Sequence, residues 1–293
     1  MSIFANTLET IEAAAKENAR HADDYVGEDG LLYCAKCNTR RQMPLNIPLP
    51  GYGMRIVPVL CKCDVERRDA EEAMRRAYEE QERIKRLRHM GITDAAYMGM
   101  TLDADDGLDK KMGNVVRKYI DNRNEVEADN IGLLLHGDTD GGKTFWAAAI
   151  ANAMIDNGMS AMVTTIPDLV KAMHANYEEN KQQVLNQIRN VRFLILDDIG
   201  FERRTPYASE KMYEIINARY LAKKPLIVTT NLTLEQIKNP SDMDYKRVFS
   251  RIIEMTTPIH VAGMERRQKI AREKSAALRD MLTRPAWELP EEV

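Results

Sequence analysis

The chain has 293 residues, of which 44% are hydrophobic, and its formal net charge at pH 7 is −3. Domains usually take about 100–200 residues, so this length predicts one large domain or two unequal ones with an ordinary buried core. The charge excludes a surface that is basic throughout, although a local basic patch would be enough to bind nucleic acid. No run of about 18 apolar residues occurs, and Glu9 and Glu12 interrupt the N-terminus. We therefore expect neither a membrane span nor a signal peptide, and a cytoplasmic protein.

Three segments precede the first strongly apolar run of the chain. Residues 3–20 carry apolar side chains at helical spacing and predict a helix. Residues 26–63 are rich in Gly, Pro and Cys and predict a small module with many turns. Residues 64–89 lack Gly and Pro, are dense in both charge signs and carry a narrow apolar stripe, so they predict a long exposed helix. Such a helix is either a solvated connector or a surface that binds a partner.

All four cysteines lie in the turn-rich module. Cys34 and Cys37 form a C-x-x-C pair, and Cys61 and Cys63 form a C-x-C pair after 23 intervening residues. Four thiolates match the tetrahedral preference of Zn²⁺ and leave no open position, so the pattern predicts a structural zinc site. Zinc would then supply part of the folding free energy of a module too small to bury much apolar surface. The alternative is four unrelated reduced cysteines, since a cytosolic chain is not expected to carry a disulfide framework.

After Gly91, short apolar runs alternate with helical patterns. The runs are nearly unbroken in hydrophobicity, as in IGLLLHG, SAMVTT, VRFLILDD and KPLIVTTN. Strands that are buried on both faces have this composition, so the predicted fold class is α/β, with a central parallel sheet covered by helices. We divide the chain into residues 1–95, residues 96–282 and a short acidic tail of residues 283–293.

The segment GDTDGGKT fits the phosphate-binding pattern G-x-x-x-x-G-K-[ST]. It stands between the apolar strand IGLLLH and the helical run FWAAAIANAM, so that N–H groups of the loop and of the helix N-terminus would face the phosphates. Lys143 would contact the β and γ phosphates, and the Thr144 hydroxyl would bind Mg²⁺. The residues predicted to hold the nucleotide are Gly137, Asp138, Thr139, Asp140, Gly141, Gly142, Lys143 and Thr144.

One residue of the loop departs from the usual pattern. Asp140 stands where many such loops have glycine, next to Gly141. Aspartate tolerates a left-handed backbone better than most residues do. Its carboxylate and that of Asp138 would nevertheless repel phosphate unless both point outward, which would weaken nucleotide binding.

Polar side chains stand at the ends of two later apolar runs. FLILDD ends in Asp197 and Asp198, and LIVTT is followed by Asn231. The two carboxylates suit a hydrated Mg²⁺ and an attacking water, with Asp197 as the magnesium partner and Asp198 as the residue that orients or deprotonates the water. Asn231 could hydrogen-bond that water or the γ-phosphate. Taken alone, these would be a solvated strand end and a turn residue, but the phosphate loop 53 residues upstream favours the functional interpretation.

Two pairs of arginines follow. Arg247 and Arg251, in YKRVFSRIIEM, are four residues apart and share a helix face. They are either ordinary surface residues or include an arginine finger that is supplied to a neighbouring subunit. In GMERRQKIAREK, Arg266 and Arg267 stand at the start of a helix beyond a short strand, where one of them could touch the nucleotide of its own subunit.

The ordered set of phosphate loop, ILDDIG, TTN, RVFSR and GMERRQKIA resembles the AAA+ ATPases, and in particular the DnaC/DnaI-type replicative helicase loaders and their phage relatives. The resemblance covers roughly residues 30–275 and is most specific in LILDDIGFERRTPYASEKMYEIINARYLAKKPLIVTTNL. It includes YCAKCNTRRQ and LCKCDVERR, which resemble the zinc-bearing N-terminal region of some members. It implies an AAA+ P-loop ATPase domain over residues 96–282. It also implies a small zinc-binding helical domain over residues 1–95 that contacts the helicase.

The resemblance also implies a role for each matching residue. The residues that bind ATP and magnesium would be Lys143, Thr144, Asp197 and Arg267. The catalytic residues would be Asp198, in place of the more general glutamate, the sensor Asn231 and the arginine finger Arg251. Glu265 stands where the family usually has a serine before the arginine of its second sensor.

The function that the resemblance implies is ATP-dependent loading of a DnaB-like replicative helicase onto single-stranded DNA. The cofactors would be ATP, Mg²⁺ and structural Zn²⁺, and the ATPase domains would self-associate. Thr164, Thr165, Lys171 and Tyr177 are candidate DNA contacts.

Two other functions stay open. An IstB-like transposition-assisting ATPase has nearly the same core but usually lacks the cysteine module. An adaptor that binds ATP and turns it over very slowly would fit the two loop carboxylates.

Overall fold

The computed structural model describes residues 23–47, 53–174, 177–200, 206–240, 242–263 and 266–283. The chain divides into two compact units, Met1–Gln81 and Glu82–Val293. The predicted helix over residues 3–20 lies outside the described residues, as does nearly all of the predicted tail. The domain bounds that we drew from the sequence stay a prediction.

The first unit contains two short antiparallel ribbons and the start of a long helix. Strands β1 (Tyr25–Val26) and β2 (Leu32–Tyr33) form one ribbon, and β3 (Gln42–Ile47) and β4 (Gly53–Pro58) form the other. Helix α1 follows at Lys62–Gly91 and confirms the long exposed helix predicted from its composition. Salt bridges between side chains four residues apart support the helix along its solvent face. These pairs include Arg67–Glu71, Arg75–Glu79 and Arg76–Glu72.

The second unit begins within α1 and alternates strands with helices. Its strands are β5 (Gly132–His136), β6 (Ala161–Thr165), β7 (Phe193–Asp197), β8 (Leu226–Thr230) and β9 (Thr256–His260). Its first helices are α2 (Ala95–Met98), α3 (Lys110–Asp121), α4 (Arg123–Ala128), α5 (Lys143–Asp156) and α6 (Ile166–His174). The later helices are α7 (Tyr177–Asn190), α8 (Pro206–Ala222), α9 (Leu234–Lys238), α10 (Met243–Met255) and α11 (Arg266–Thr283). None of the described helices is both long and apolar enough to cross a membrane.

The five strands form one sheet in the order β6-β7-β8-β5-β9, and every pairing is parallel. Strands β5, β7 and β8 are buried along their whole length, which confirms the parallel sheet predicted from the unbroken apolar runs. Successive side chains of a strand point to opposite faces, so each strand contributes side chains to two hydrophobic cores. Leu194 and Leu196 pack with helices α6, α7, α8 and α10 on one face. Phe193 and Ile195 pack with α3, α4 and α5 on the other.

Parallel strands all end at the same edge of the sheet. Because β8 lies between β7 and β5, the residues that follow these three strands meet at that edge. This edge therefore brings together the phosphate loop, Asp197 and Asp198, and Asn231, which lie far apart in the sequence. Ligands of open α/β sheets bind outside the carboxyl ends of the strands.

Candidate functional site

The loop between β5 and α5 is held against the segment that follows β9. Gly137 has φ 138°, and a Cβ atom there would collide with the carbonyl of Val261. A Cβ atom on Gly141 would lie only 2.8 Å from the carbonyl oxygen of Ala262. Gly142, with φ 82°, occupies the N-cap of α5. Gly142 has no side chain that could cap the helix, so the first N–H groups of α5 are left to bind an anion.

Lys143 is the first residue of α5 and is only 7% exposed. Its Nζ donates hydrogen bonds to the carbonyl oxygens of Gly137, over 2.9 Å, and Asp138, over 2.6 Å. The ammonium group thus lies inside the curve of the loop. A cation that is held there by two carbonyls can exchange them for phosphate oxygens without moving far.

Asp140 adopts the left-handed conformation that the sequence pattern led us to expect at a glycine position. Its φ is 73°, a value that Asp and Asn tolerate better than other side chains do. Asp140 is half-buried and Asp138 is exposed. Two carboxylates therefore belong to the loop that is expected to hold the phosphates.

Three hydroxyl groups converge on Asp197, which is 7% exposed. Its Oδ1 accepts hydrogen bonds from Thr144 Oγ1, over 3.0 Å, and from Thr229 Oγ1, over 2.6 Å. Its Oδ2 accepts a hydrogen bond from the hydroxyl of Tyr97 over 3.1 Å. The structure therefore joins the end of β7 to the first turn of α5, as the sequence led us to expect for a shared magnesium site.

Asp198 and Asn231 face each other one strand apart. Asn231 Nδ2 donates to Asp198 Oδ1 over 3.3 Å. The backbone N–H of Asp198 donates to Thr229 Oγ1 over 2.8 Å. Asp198 has φ 57°, so the backbone leaves the extended conformation of β7 at this exposed residue. A carboxylate and an amide in contact at the open edge of the sheet can hold a water molecule between protein and phosphate.

Sequence reasoning missed three residues of this site. Thr229 and Tyr97 contact Asp197. Thr229 belongs to the TTN segment but was assigned no role, and Tyr97 lies outside every motif that we recognised. His136, the last residue of β5, is buried and lies edge-on to His260 at 5.4 Å between ring centroids. Burial, His260 and the Lys143 charge all lower the pKa of His136. The IGLLLHG run indicated its position at the strand end but not its contacts.

The structure places the Arg251 side chain against two tyrosines rather than in this network. Arg251 Nη2 donates to the hydroxyl of Tyr213 over 3.0 Å, and its guanidinium lies 4.7 Å from the ring centroid of Tyr213 and 5.5 Å from that of Tyr220. Arg247 is exposed on the same helix. Arg267 lies in the first turn of α11, but its side chain is outside the described part of the structure. The arginine-finger and second-sensor roles stay predictions.

The candidate DNA contacts at the start of α6 have mixed environments. The Thr165 hydroxyl donates to Asp168 Oδ2 over 2.7 Å and accepts from the backbone N–H of Asp168 over 3.2 Å. Thr165 therefore caps α6, a structural role. Lys171 is exposed, and Thr164 is half-buried. The side chain of Tyr177 lies outside the described residues.

The four cysteines of the first unit form one cluster. Their sulfur atoms all lie within 4.8 Å of one another, and Cys63 Sγ is 3.5 Å from both Cys34 Sγ and Cys61 Sγ. A tetrahedron with Zn–S bonds of about 2.3 Å has S···S edges of about 3.8 Å, so the donor set fits zinc. Hydrogen bonds with the Thr39 hydroxyl and the backbone of Cys63 lower the pKa of Cys37 to about 5, whereas burial raises the pKa of Cys61 to about 12.

A buried ion-pair network contacts the cysteine cluster through Asp64. Arg41 is 3% exposed and contacts Asp24 over 2.9 Å and Asp64 over 2.8 Å. Cys61 Sγ donates to Asp64 Oδ2 over 3.3 Å. That hydrogen bond needs the protonated thiol and is lost when Cys61 binds zinc as a thiolate, so the group of this network that would balance the thiolate charge is the Arg41 guanidinium, which interacts with Cys61 and Cys34.

Comparison with known proteins gives consistent matches. The family described as IstB-like ATP binding protein matches residues 65–272. The replicative helicase loader DnaI of Bacillus subtilis (strain 168) is 24% identical over 281 residues, covering 88% of this chain and 89% of that protein. The replicative helicase loader DnaC of Escherichia coli (strain K12) is 27% identical over 124 residues, covering 41% of this chain and 49% of that protein, or about half of its length.

The fold has a counterpart among solved structures. The crystal structure of the DnaC helicase loader is 25% identical with a TM-score of 0.50, and the match covers 57% of this chain and 99% of that chain. The family match spans more than half of the chain and includes the phosphate loop, Asp197, Asp198 and Asn231. The chain therefore belongs to the IstB-like ATP-binding proteins and is an AAA+ P-loop ATPase.

Proposed function

We propose that this protein uses ATP to load a replicative DNA helicase onto single-stranded DNA. The observation that carries the proposal is the extent of its similarity to the helicase loader DnaI. The match covers 88% of this chain, which is more than the unit Glu82–Val293 can supply, so it reaches into the first unit as well. The partner would be a DnaB-like hexameric helicase, and the first unit would contact it.

The phosphate loop would hold the nucleotide. Backbone N–H groups from Gly137 to Thr144 would bind the phosphates, and Lys143 would turn from the two loop carbonyls to the β and γ phosphates. Bound Mg²⁺ would neutralise charge on the phosphates and fix their orientation. Thr144 would ligate the ion directly and Asp197 through its water shell, which the 3.0 Å contact between these two side chains supports.

Asp198 and Asn231 would direct the attacking water. Their side chains are 3.3 Å apart, so one water can contact both. The water oxygen forms a bond to the γ phosphorus, the bond to the bridging oxygen breaks, and ADP and phosphate result. Asp198 would receive the proton of the water. We place Arg251 of a neighbouring subunit at the same phosphate, so that self-association completes the site.

The cysteine cluster would hold a structural Zn²⁺ through Cys34, Cys37, Cys61 and Cys63. All four ligands come from the protein, which leaves no position for a reacting water. The sulfur separations support this assignment. Zinc would hold the two short ribbons and the start of α1 in one folded module.

Two measurements test the proposal. Phosphate release in the presence of single-stranded DNA should fall to background in Lys143→Ala and in Asp198→Asn, whereas Asp198→Asn should still bind ATP. Identical background release from both variants and the wild type would contradict turnover and favour an adaptor.

Affinity capture with tagged protein should retain the replicative helicase of the same cell when ATP is present. Failure to retain it would contradict helicase loading.

The second candidate function is that of an IstB-like transposition-assisting ATPase. The family match over residues 65–272 favours it, because that region includes the whole ATPase core. Duplex DNA binding with filament formation, together with stimulation of a transposase, would support this function. Preference for single-stranded DNA and capture of a helicase would support loading instead.

A further inference from the structure

We infer that Tyr97 is a positioning residue of the magnesium site and that it acts through Asp197. Tyr97 lies in the short helix α2, 100 residues before Asp197 and outside every ATP-binding motif of the chain. The inference rests on the proposed binding of ATP and Mg²⁺ and adds to it a residue that fixes the orientation of the metal-binding carboxylate.

The three hydroxyl donors around Asp197 are not equivalent. Thr144 and Thr229 both contact Oδ1, whereas Tyr97 contacts Oδ2. When the Thr144 hydroxyl turns to Mg²⁺, Thr229 still fixes Oδ1. Tyr97 then remains as the donor seen at Oδ2. Two donors on different oxygens define the plane of a carboxylate, whereas one donor leaves it free to rotate.

Tyr97 is held in place independently of its hydroxyl group. Asp94 caps α2 by accepting a hydrogen bond from the backbone N–H of Ala96 over 2.8 Å. The carbonyl oxygens of Tyr97 and Met100 each accept a hydrogen bond of 2.9 Å from Nδ2 of Asn152. Asn152 is 1% exposed and lies on α5, the helix whose N-terminus forms part of the phosphate loop.

A further contact ties this arrangement to the end of α1. Arg88 Nη1 donates to Asn152 Oδ1 over 3.0 Å, and Arg88 also pairs with Asp156. Asn152 thus has both ends of its amide occupied, and the segment that carries Tyr97 cannot shift without breaking buried hydrogen bonds. A phenol on so rigid a segment can set the position of the carboxylate that it touches.

The consequence concerns Mg²⁺ rather than the nucleotide itself. Partners that orient metal ligands typically contribute about 10–100-fold to metal affinity. Because Thr229 remains on Oδ1, we expect the lower end of that range when the Tyr97 hydroxyl is removed. Nucleotide binding without Mg²⁺ depends on Lys143 and the loop N–H groups and should not change.

The test is a titration of Tyr97→Phe, which keeps the ring and removes only the hydroxyl. A fluorescent N-methylanthraniloyl ATP is bound at a series of Mg²⁺ concentrations and in excess EDTA. We expect the half-saturating Mg²⁺ concentration to rise about tenfold, with affinity in EDTA within about twofold of the wild type. Tyr119→Phe is the matched control, because it removes a buried hydroxyl that donates to the carbonyl of Ile131 over 2.7 Å. It should leave both values unchanged.

Each other outcome has a defined meaning. An unchanged Mg²⁺ titration of Tyr97→Phe, or tighter Mg²⁺ binding, would overturn the inference. Equal losses with and without Mg²⁺ would also overturn it, because they would show a general structural role. A wild-type protein that binds no nucleotide under any condition would instead overturn the proposed function. The two failures are therefore distinguishable.

Discussion

The hydroxyl of Thr144 donates a hydrogen bond of 3.0 Å to Oδ1 of Asp197, although 53 residues separate the two in the sequence. Thr144 lies in the first turn of α5 and Asp197 ends β7. The contact exists because α5 starts at the same edge of the sheet at which β7 ends. It joins the two residues that we expect to serve one magnesium ion.

Replacing Thr144 by Val should reduce Mg²⁺-dependent ATP turnover by about 10–100-fold, because the isosteric side chain cannot bind the metal. Thr144→Ser keeps the hydroxyl and should retain most of the activity. Phosphate release measured against Mg²⁺ concentration separates the two variants. Equal activity of the Val and Ser variants would contradict a role for this hydroxyl in metal binding.

Asp140 should weaken nucleotide binding through its charge. Asp140→Asn removes the charge and retains tolerance for φ 73°, so we expect ATP to bind roughly two- to fivefold more tightly. Isothermal titration calorimetry at low and high salt would measure the effect, which should shrink as salt screens the charge. Asp140→Gly tests charge and backbone together. Weaker binding by Asp140→Asn would show that the carboxylate takes part in nucleotide binding.

Arg219 should be essential for stability. Its side chain is fully buried and donates hydrogen bonds to four carbonyl oxygens, one in the last turn of α7 and three in the segments just before β7 and β8. The acceptors are Ile188, Val191, Arg192 and Pro225. Arg219→Met leaves these buried acceptors without their donor, at a cost of about 1–3 kcal/mol for each group left unsatisfied. We expect a loss of at least about 3 kcal/mol in the free energy of unfolding, measured with urea.

Arg189 provides the control for Arg219. It lies on the preceding helix, α7, and its Nη1 donates to the side chain of Asn186 over 3.1 Å at the surface. Arg189→Met should change the free energy of unfolding by less than about 0.5 kcal/mol. A similar loss in both variants would show that Arg219 acts only as an ordinary helix residue.

Protonation of His136 should lower the free energy of unfolding in mild acid. Its pKa in the folded protein lies below the ordinary value of 6.5 because of burial, His260 and Lys143. The unfolded chain therefore binds the proton more readily, so the contribution of His136 to stability is complete above about pH 6.5 and decreases as the pH falls below it. His136→Gln should flatten this part of the pH profile in urea unfolding between pH 7.5 and 5.5. An unchanged slope in His136→Gln would contradict this contribution of His136.

The cysteine cluster should bind one zinc ion per chain. Cys37→Ser removes one ligand, and after dialysis against a weak chelator its zinc content should fall well below that of the wild type. Atomic emission spectroscopy on the same samples measures the metal. Wild-type protein that carries no zinc after expression in zinc-supplemented medium would contradict the structural site.

The sequence by itself determined the local features of this protein. Glycines at the turns of the phosphate loop, an apolar run before it and a helical run after it define the loop because each depends on neighbouring residues only. The long helix α1 follows from a segment without Gly or Pro, and the buried strands follow from unbroken apolar runs. These features were predictable because the spacing of apolar residues along the chain differs between helices and strands.

Only the tertiary structure decided which distant side chains meet. The sequence shows two adjacent threonines before Asn231. Because successive side chains of a strand point to opposite faces, Thr229 donates to Asp197 and Thr230 donates to the carbonyl oxygen of Ile199. Likewise, nothing near Tyr97 indicates a contact with a residue 100 positions away. Such contacts depend on strand order and helix packing, which set distances between residues that share no local pattern. The motifs could therefore be found in the sequence, whereas the donors that orient Asp197 could be found only in the folded chain.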